Sequence, residues 1–209
     1  MVISHSDKEI EVKFFVRSLP EIETRLVKAG ATLVQPRTHE YNLRFDTPEG
    51  SLSQQKSMLR LRRDFASHIT YKGPSTTLGG ALARQEIEFE VSNFAAAQKL
   101  IEALGFRSRF VYEKYRTTYA LQGMKVTLDE MPYGDFVEIE SGQAETLPGA
   151  ASALDLNWEL RLPETYVSIF RRLKELFQLS FNDITFANFE NVTVDLHRSG
   201  IQEADTALA

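Results

Sequence analysis

The sequence predicts an α+β fold, an eight-stranded antiparallel β-barrel with a polar interior and helices packed outside. Three observations lead there. Charged residues recur at every second position in several segments, which places them on one face of a strand and apolar residues on the other. Glu9, Glu11 and Lys13 alternate with Ile10, Val12 and Phe14, and the spacing returns at Arg60/Arg62, Glu86/Glu88/Glu90, Lys114/Arg116 and Glu138/Glu140. The order strand, helix, three strands occurs twice, for eight strands in all. About eight strands close a barrel whose interior side chains can fill. Fixed charges of both signs are tolerable inside it if water, metal or ligand satisfies them.

The elements follow in order. Alternation predicts a first strand over residues 8–16. Ser18-Leu19-Pro20-Glu21 opens a helix, with Ser18 as cap, Pro20 in the first turn and Glu21 completing a capping box. That helix runs through Ile22, Leu26 and Val27 and stops at Gly30. Strands follow near 38–45, 57–63 and 67–73, with turn chemistry at Asp46-Thr47-Pro48-Glu49-Gly50. Residues 74–84, with Gly79-Gly80, read as a flexible loop. The pattern restarts at Glu86, and Ser92 or Asn93 caps a helix with Phe94, Leu100, Ile101 and Leu104 that Gly105 ends. Three more strands are expected near 110–120, 123–130 and 134–141. After Pro163, Tyr166, Ile169, Phe170, Leu173, Leu176 and Phe177 form an apolar helical stripe, expected to pack onto the barrel wall. Residues 1–197 are expected to make one domain, and 198–209 a disordered tail.

Composition narrows the function. A chain of 209 residues, 43% hydrophobic and 25% charged, fits one soluble globular unit. A net charge of -5 argues against a general nucleic-acid surface, so basic contacts to an anion must be local. Cysteine is absent, which removes disulfides, thiolate metal sites and a cysteine nucleophile. No apolar run approaches the ~20 residues of a membrane span, and the polar start lacks a signal-peptide core. A cytoplasmic location is expected. The four histidines lack zinc-ligand spacing, and no Walker-type phosphate loop is present.

The interior charges point to a polyanion carried with a divalent metal. Mg²⁺ and Mn²⁺ take oxygen ligands, often one or two carboxylates with waters and phosphates. Glu9 and Glu11, two residues apart on one strand face, can share a metal, and Glu138 and Glu140 with Asp129 can complete the set. The basic set is Lys13, Arg60, Arg62, Lys72, Lys114 and Arg116. Guanidinium groups grip phosphate oxygens in pairs and lysines act as point charges. A triphosphate, with about four negative charges, is a suitable complement to several such cations and a metal. Wall salt bridges are the structural alternative.

Taken in sequence, these motifs resemble the CYTH superfamily, the triphosphate tunnel metalloenzymes. Glu9-x-Glu11-x-Lys13 is similar to the family's opening signature, Phe45-Asp46-Thr47-Pro48 to its strand end, and Leu59-Arg60-Leu61-Arg62 to its arginine strand. Thr70-Tyr71-Lys72-Gly73-Pro74, the acidic strand at Glu86 and Glu88, Lys114 with Arg116, Asp129, and Phe136-Val137-Glu138-Ile139-Glu140 continue the series. The resemblance spans about residues 8–141 and implies an eight-stranded tunnel that binds a triphosphate through its bases and one or two Mg²⁺ or Mn²⁺ through its acids. Members include thiamine triphosphatases, inorganic triphosphatases, RNA 5′-triphosphatases and class IV adenylyl cyclases, so the fold does not choose among them.

The chain also departs from the pattern. Glu40, Asn42 and Arg44 stand where many relatives have Gln-x-Asp-x-Tyr, which removes a tyrosine and adds Arg44 as a phosphate contact. His5-Ser6 replaces the His-Phe pair typical of class IV cyclases, and no lysine immediately precedes Thr165-Tyr166. The expected function is therefore metal-dependent hydrolysis of a triphosphate-containing small molecule. Conversion of ATP to cyclic AMP is the alternative within the fold, and a non-catalytic polyphosphate or nucleotide sensor the alternative outside enzymology. No general base is assigned; Lys13 could serve only if neighbouring cations depress its pKa.

Overall fold

A computed structural model of the chain describes residues 8–205, with Lys8 and Glu9 as backbone only; His5 and Ser6 lie outside the described residues. Nine strands form one antiparallel sheet: β1 (Lys8–Val16), β2 (Thr32–Asp46), β3 (Met58–Arg63), β4 (Ser67–Lys72), β5 (Thr76–Leu78), β6 (Ala81–Glu90), β7 (Arg107–Leu121), β8 (Met124–Met131) and β9 (Gly134–Ser141). The order is β1-β9-β8-β7-β2-β3-β4-β6-β5, and β1 also pairs with β6. Eight strands thus close a hydrogen-bonded ring, with β5 attached to the edge of β6.

Register keeps the charged positions on the inner face. Lys13 pairs with Glu138 and Glu11 with Glu140, Arg44 with Arg60, Glu40 with Lys114, Lys72 with Glu86, and Arg116 with Asp129. The alternate residues face outward, most of them under helices, whereas Ile87 and Phe89 of β6 are exposed. Helices α1 (Leu19–Lys28) and α4 (Leu147–Ala153) lie over β1, β8 and β9, burying Val12, Phe14, Val126 and Ile139 with Ile22, Leu26 and Leu147. Helix α3 (Phe94–Ala103) covers Leu43, Phe45 and Leu61 through Ala97 and Ile101. The capping residues behave as their chemistry dictates: Ser18 Oγ accepts from the Glu21 amide at 3.3 Å, and Asn93 Oδ1 from that of Ala96 at 2.9 Å.

Several expectations change. The expected flexible loop at 74–84 is instead β5 and the start of β6, joined at Gly79-Gly80. Both glycines have positive φ, 57° and 81°, which gives the tight two-residue hairpin turn that matches strand twist. Val27, Leu100 and Leu104 face solvent, because each helix turns a narrower stripe inward than its apolar content allows. The expected disordered tail is packed as far as Asp205. Ile201 and Ala204 are buried, and the Asp205 carboxylate accepts the amides of Arg17 and Ser18 at 2.9 and 3.1 Å. Those amides precede α1 and have no partner within it, so a carboxylate there satisfies them.

Helix α5 (Tyr166–Phe177) does not simply lie on the outer wall. Its buried stripe packs with Tyr112 and Phe136, which share strand parity with Lys114 and Glu138 and so belong to the inner face. Tyr166 meets Phe136 edge-on at 5.2 Å and Phe170 meets Phe110 at 6.3 Å. The helix therefore plugs one end of the ring. Among the described residues, no helix is long and apolar enough to cross a membrane.

Candidate active site

The ring encloses a cavity of about 650 Å³ lined by eleven lysines and arginines and six glutamates. That local excess of positive charge sits in a chain of net charge -5. Twelve of the fourteen residues singled out in the sequence line it: Glu11, Lys13, Arg44, Arg60, Arg62, Lys72, Glu86, Glu88, Lys114, Arg116, Glu138 and Glu140. Glu9 lies in β1 opposite Arg84, and its side chain is outside the described residues.

On one side of the cavity, β3, β4 and β6 build a basic clamp held by acids. Arg60 and Arg62 each reach Glu88 at 3.2 Å, Lys72 reaches Glu86 at 3.1 Å, and Arg60 donates to the Tyr112 hydroxyl at 3.1 Å. Burial alone would push the Glu88 carboxyl up, but Arg60, Arg62 and the Thr70 hydroxyl bring it down to about 2. Burial also opposes the Arg60 charge, yet Tyr112, Glu88 and Glu40 hold its pKa above the ordinary arginine value. Glu86 and Glu88, counted among the candidate substrate-binding residues, line the cavity and pair with its cations.

Beneath the opposite wall lies a second network. Asp129 is fully buried and accepts from Lys114 at 2.9 Å, Arg116 Nε at 2.6 Å and the Tyr166 hydroxyl at 2.7 Å. Glu40, buried beside Lys114 and Arg116, would be raised by burial but is drawn by those two cations down to about 2. Asp129 was expected to ligate a metal. Its oxygens accept from N–H and O–H donors and stand behind the lining, a geometry that also positions Lys114 and Arg116.

The acids of β1 and β9 form the remaining wall. Glu11, Glu138 and Glu140 line the cavity from adjacent strands, and all their donors are carboxylate oxygens, the chemistry that Mg²⁺ or Mn²⁺ requires. Their partners are Arg84 for Glu11, Lys13 and Arg116 for Glu138, and Lys125 for Glu140. Held apart by these cations, no three described acids converge on one point. The donor chemistry is that of a hard-cation site, with Glu11, Glu138 and Glu140 as its described candidates, which would have to leave these ion pairs to meet on one ion. Lys13 does not become a base. Burial works against its charge, but Glu138, Glu11 and Asp129 outweigh that and keep its pKa above the usual lysine value. A raised ammonium stays protonated at neutral pH, which removes the expected candidate for proton abstraction.

Sequence reasoning missed Arg84, Lys125, Lys56, Arg171, Tyr112 and Tyr166, all of which line the cavity. Arg84 shares strand parity with Glu86 and Lys125 with Asp129, so extending the alternation by one step would have found both. Arg171 and Tyr166 come from the plugging helix, whose entry into the ring no local pattern announces.

Comparison with known proteins agrees with this architecture. The CYTH domain family model matches residues 7–172. Among solved structures, a candidate adenylate cyclase from Vibrio parahaemolyticus superimposes with a TM-score of 0.70 at 19% identity, covering 80% of this chain and 99% of that one. A protein from Pyrococcus horikoshii does so at 0.64 with 28% identity, covering 77% and 98%. A candidate adenylyl cyclase from Hippeastrum, described as having a dominant triphosphatase activity, matches at 0.59 with 19% identity, covering 78% and 95%. No curated protein matches the chain.

Proposed function

The chain belongs to the CYTH domain family, and on that premise we propose that its cavity is the active site of a divalent-metal-dependent hydrolase of a triphosphate-containing substrate. The observation that carries this reading is the lining itself, eleven cations around one cavity in an acidic chain. The acids of the wall offset much of that charge, and the remaining surplus favours entry of a polyanion.

Arg60, Arg62, Lys72, Lys114 and Arg116 would bind the phosphate oxygens. Their acid partners hold them in place before substrate arrives, so little reorganisation is needed as charge develops on the leaving oxygens. Lys13, protonated, adds a further point charge. A Mg²⁺ or Mn²⁺ ion held by Glu11, Glu138 and Glu140 would polarise phosphoryl oxygens and help neutralise their charge. Burial would raise Glu138, but Lys13 and Arg116 hold its carboxyl well below the usual range, so it remains an anionic ligand and a poor base. Phosphoryl transfer tolerates this, because its loose transition state asks mainly for positioning and charge stabilisation.

Product analysis with inorganic triphosphate, thiamine triphosphate and ATP, each with Mg²⁺ or Mn²⁺, tests the proposal. Hydrolysis of inorganic triphosphate to phosphate and pyrophosphate is expected. Cyclic AMP and pyrophosphate from ATP, without attack on inorganic triphosphate, would replace hydrolysis by cyclisation. Binding without turnover of any of the three would make the protein a sensor.

A further inference from the structure

Two tyrosines line the cavity, and only one of them has given its hydrogen to the protein. Tyr166 donates to Asp129 at 2.7 Å. Tyr112, on the inner face of β7 two residues before Lys114, instead accepts from Arg60 Nη1 at 3.1 Å. That bond leaves the phenolic hydrogen, and among the described residues no acceptor takes it. The ring itself is fixed: it is buried, 6.1 Å from Phe110, and in one apolar cluster with Phe170 of the plugging helix. The charged groups that face the hydroxyl are Arg60 of β3, Lys114 of its own strand and Glu40 of β2, with Arg44 and Arg171 lining the same cavity. Burial would push its pKa up, but Arg60 and then Lys114 bring it below the ordinary tyrosine value against Glu40. Across the β2–β7 pairing stands Asn42, fully buried. Neither atom of its amide has a hydrogen-bond partner among the described residues, nor does Glu40 Oε2. Orphaned polar atoms at such depth are the signature of a buried water site, and this one lies beside the hydroxyl.

We propose that Tyr112 is a catalytic residue, the general acid that gives its proton to the leaving oxygen when the terminal phosphoryl group is cut from its substrate. This rests on the triphosphate hydrolysis read above. A phosphate oxygen gripped by Arg60 comes within reach of the hydroxyl that the same guanidinium already holds. As the bond between the terminal phosphorus and the bridging oxygen breaks, that oxygen takes the hydrogen of Tyr112. The attacking water forms the new bond to phosphorus and releases one proton, which returns to the phenolate through the water beside Asn42. Tyr112 is therefore neutral before and after the cycle. Between those points Arg60 and Lys114 stabilise the phenolate, an electrostatic preparation made before substrate arrives. Other ionisable groups of the lining are poorly suited to the task. Lys13 holds its proton too tightly, with its pKa above the usual lysine value. Glu88, held near 2, has no proton to give at neutral pH.

Steady-state hydrolysis of inorganic triphosphate with Mn²⁺, followed against pH, tests this in Tyr112→Phe and in protein carrying fluorotyrosine at position 112. The first variant keeps the ring and removes the hydroxyl. Its kcat is expected to fall about 10²- to 10³-fold with KM little changed, as for loss of a proton donor used only in the transition state. Fluorination makes the phenol more acidic while leaving its shape nearly intact. A general acid must be protonated to act, so the alkaline limb of kcat should move to lower pH in the fluorinated protein. An unmoved limb, a loss confined to KM, or wild-type kcat in Tyr112→Phe would make the hydroxyl an anchor for Arg60 alone and overturn the proposal. If Tyr112→Phe does not fold, the fluorinated protein carries the test. Wild-type protein that binds inorganic triphosphate yet hydrolyses neither it, thiamine triphosphate nor ATP would instead overturn the hydrolase reading itself.

Discussion

Strands β1 and β6 begin from nearly the same sequence pattern and end in different roles. Ile10-Glu11-Val12 and Glu86-Ile87-Glu88-Phe89 both place acids inward and apolar residues outward. Under α1 and α4, Val12 and Phe14 of β1 are 2% and 0% exposed, whereas Ile87 and Phe89 of β6 are 48% and 54% exposed. Inside, Glu11 stands opposite another acid, Glu140, while Glu88 stands among Arg60, Arg62 and Thr70. Glu11 has one arginine partner, Arg84, and shares its wall with Glu138 and Glu140, so a further cation can bridge neighbouring acids; Glu88 is held by two arginines and the Thr70 hydroxyl. The same alternating motif therefore builds a metal-type wall on one side and a clamp support on the other, and its neighbours across the ring decide which.

Four measurements would break or sharpen this contrast. The largest effect is expected at the outer face of β1. Phe14→Ala removes a fully buried ring and should cost about 3–5 kcal/mol in urea unfolding; a loss below 1 kcal/mol would mean that the α1 and α4 layer contributes little. Next comes the acidic wall. Glu11→Gln should keep the fold and lower kcat/KM at limiting Mg²⁺ by about 10²–10³-fold, roughly 2.7–4 kcal/mol, because a neutral amide ligates a hard cation weakly. Wild-type rates under those conditions would exclude Glu11 from metal binding.

Glu88→Gln should act mainly on stability, by about 2–3 kcal/mol at neutral pH, since its carboxyl is held near 2 in the fold against an ordinary value of 4.5. A depressed carboxyl binds fewer protons folded than unfolded. Its contribution is therefore complete above about pH 4.5 and is lost as pH falls toward 2. Melting temperatures of variant and wild type should converge across that window, and parallel curves would show that the arginines do not depend on this charge. The smallest effect belongs to the outer face of β6. Phe89→Ser should change stability by no more than about 0.5 kcal/mol; a larger loss would reveal a covering that the isolated chain does not show.

Much of this was legible in the residues alone. Strand periodicity is local, so Glu11, Lys13, Arg60, Arg62, Lys114, Arg116, Glu138 and Glu140 could be assigned to one face without knowing their neighbours. Helix caps at Ser18 and Asn93 are equally local, a side chain meeting amides three residues away. The ring closure between β1 and β6, the entry of α5 into one end and the docking of Asp205 on the start of α1 join residues about 30 to 190 positions apart, and nothing in a short window encodes them. Charge state was decided at the same level. Lys13 looked like a possible base until Glu138, Glu11 and Asp129 surrounded it, and no local pattern shows that Asp129, read as a metal ligand, also meets Lys114, Arg116 and Tyr166. The sequence by itself determined which residues carry charge and which face of each strand they occupy, because both follow from the covalent chain. Only the tertiary structure decided which charges meet, because Coulomb interactions depend on distance through space and on burial, and those are set by how the ring closes.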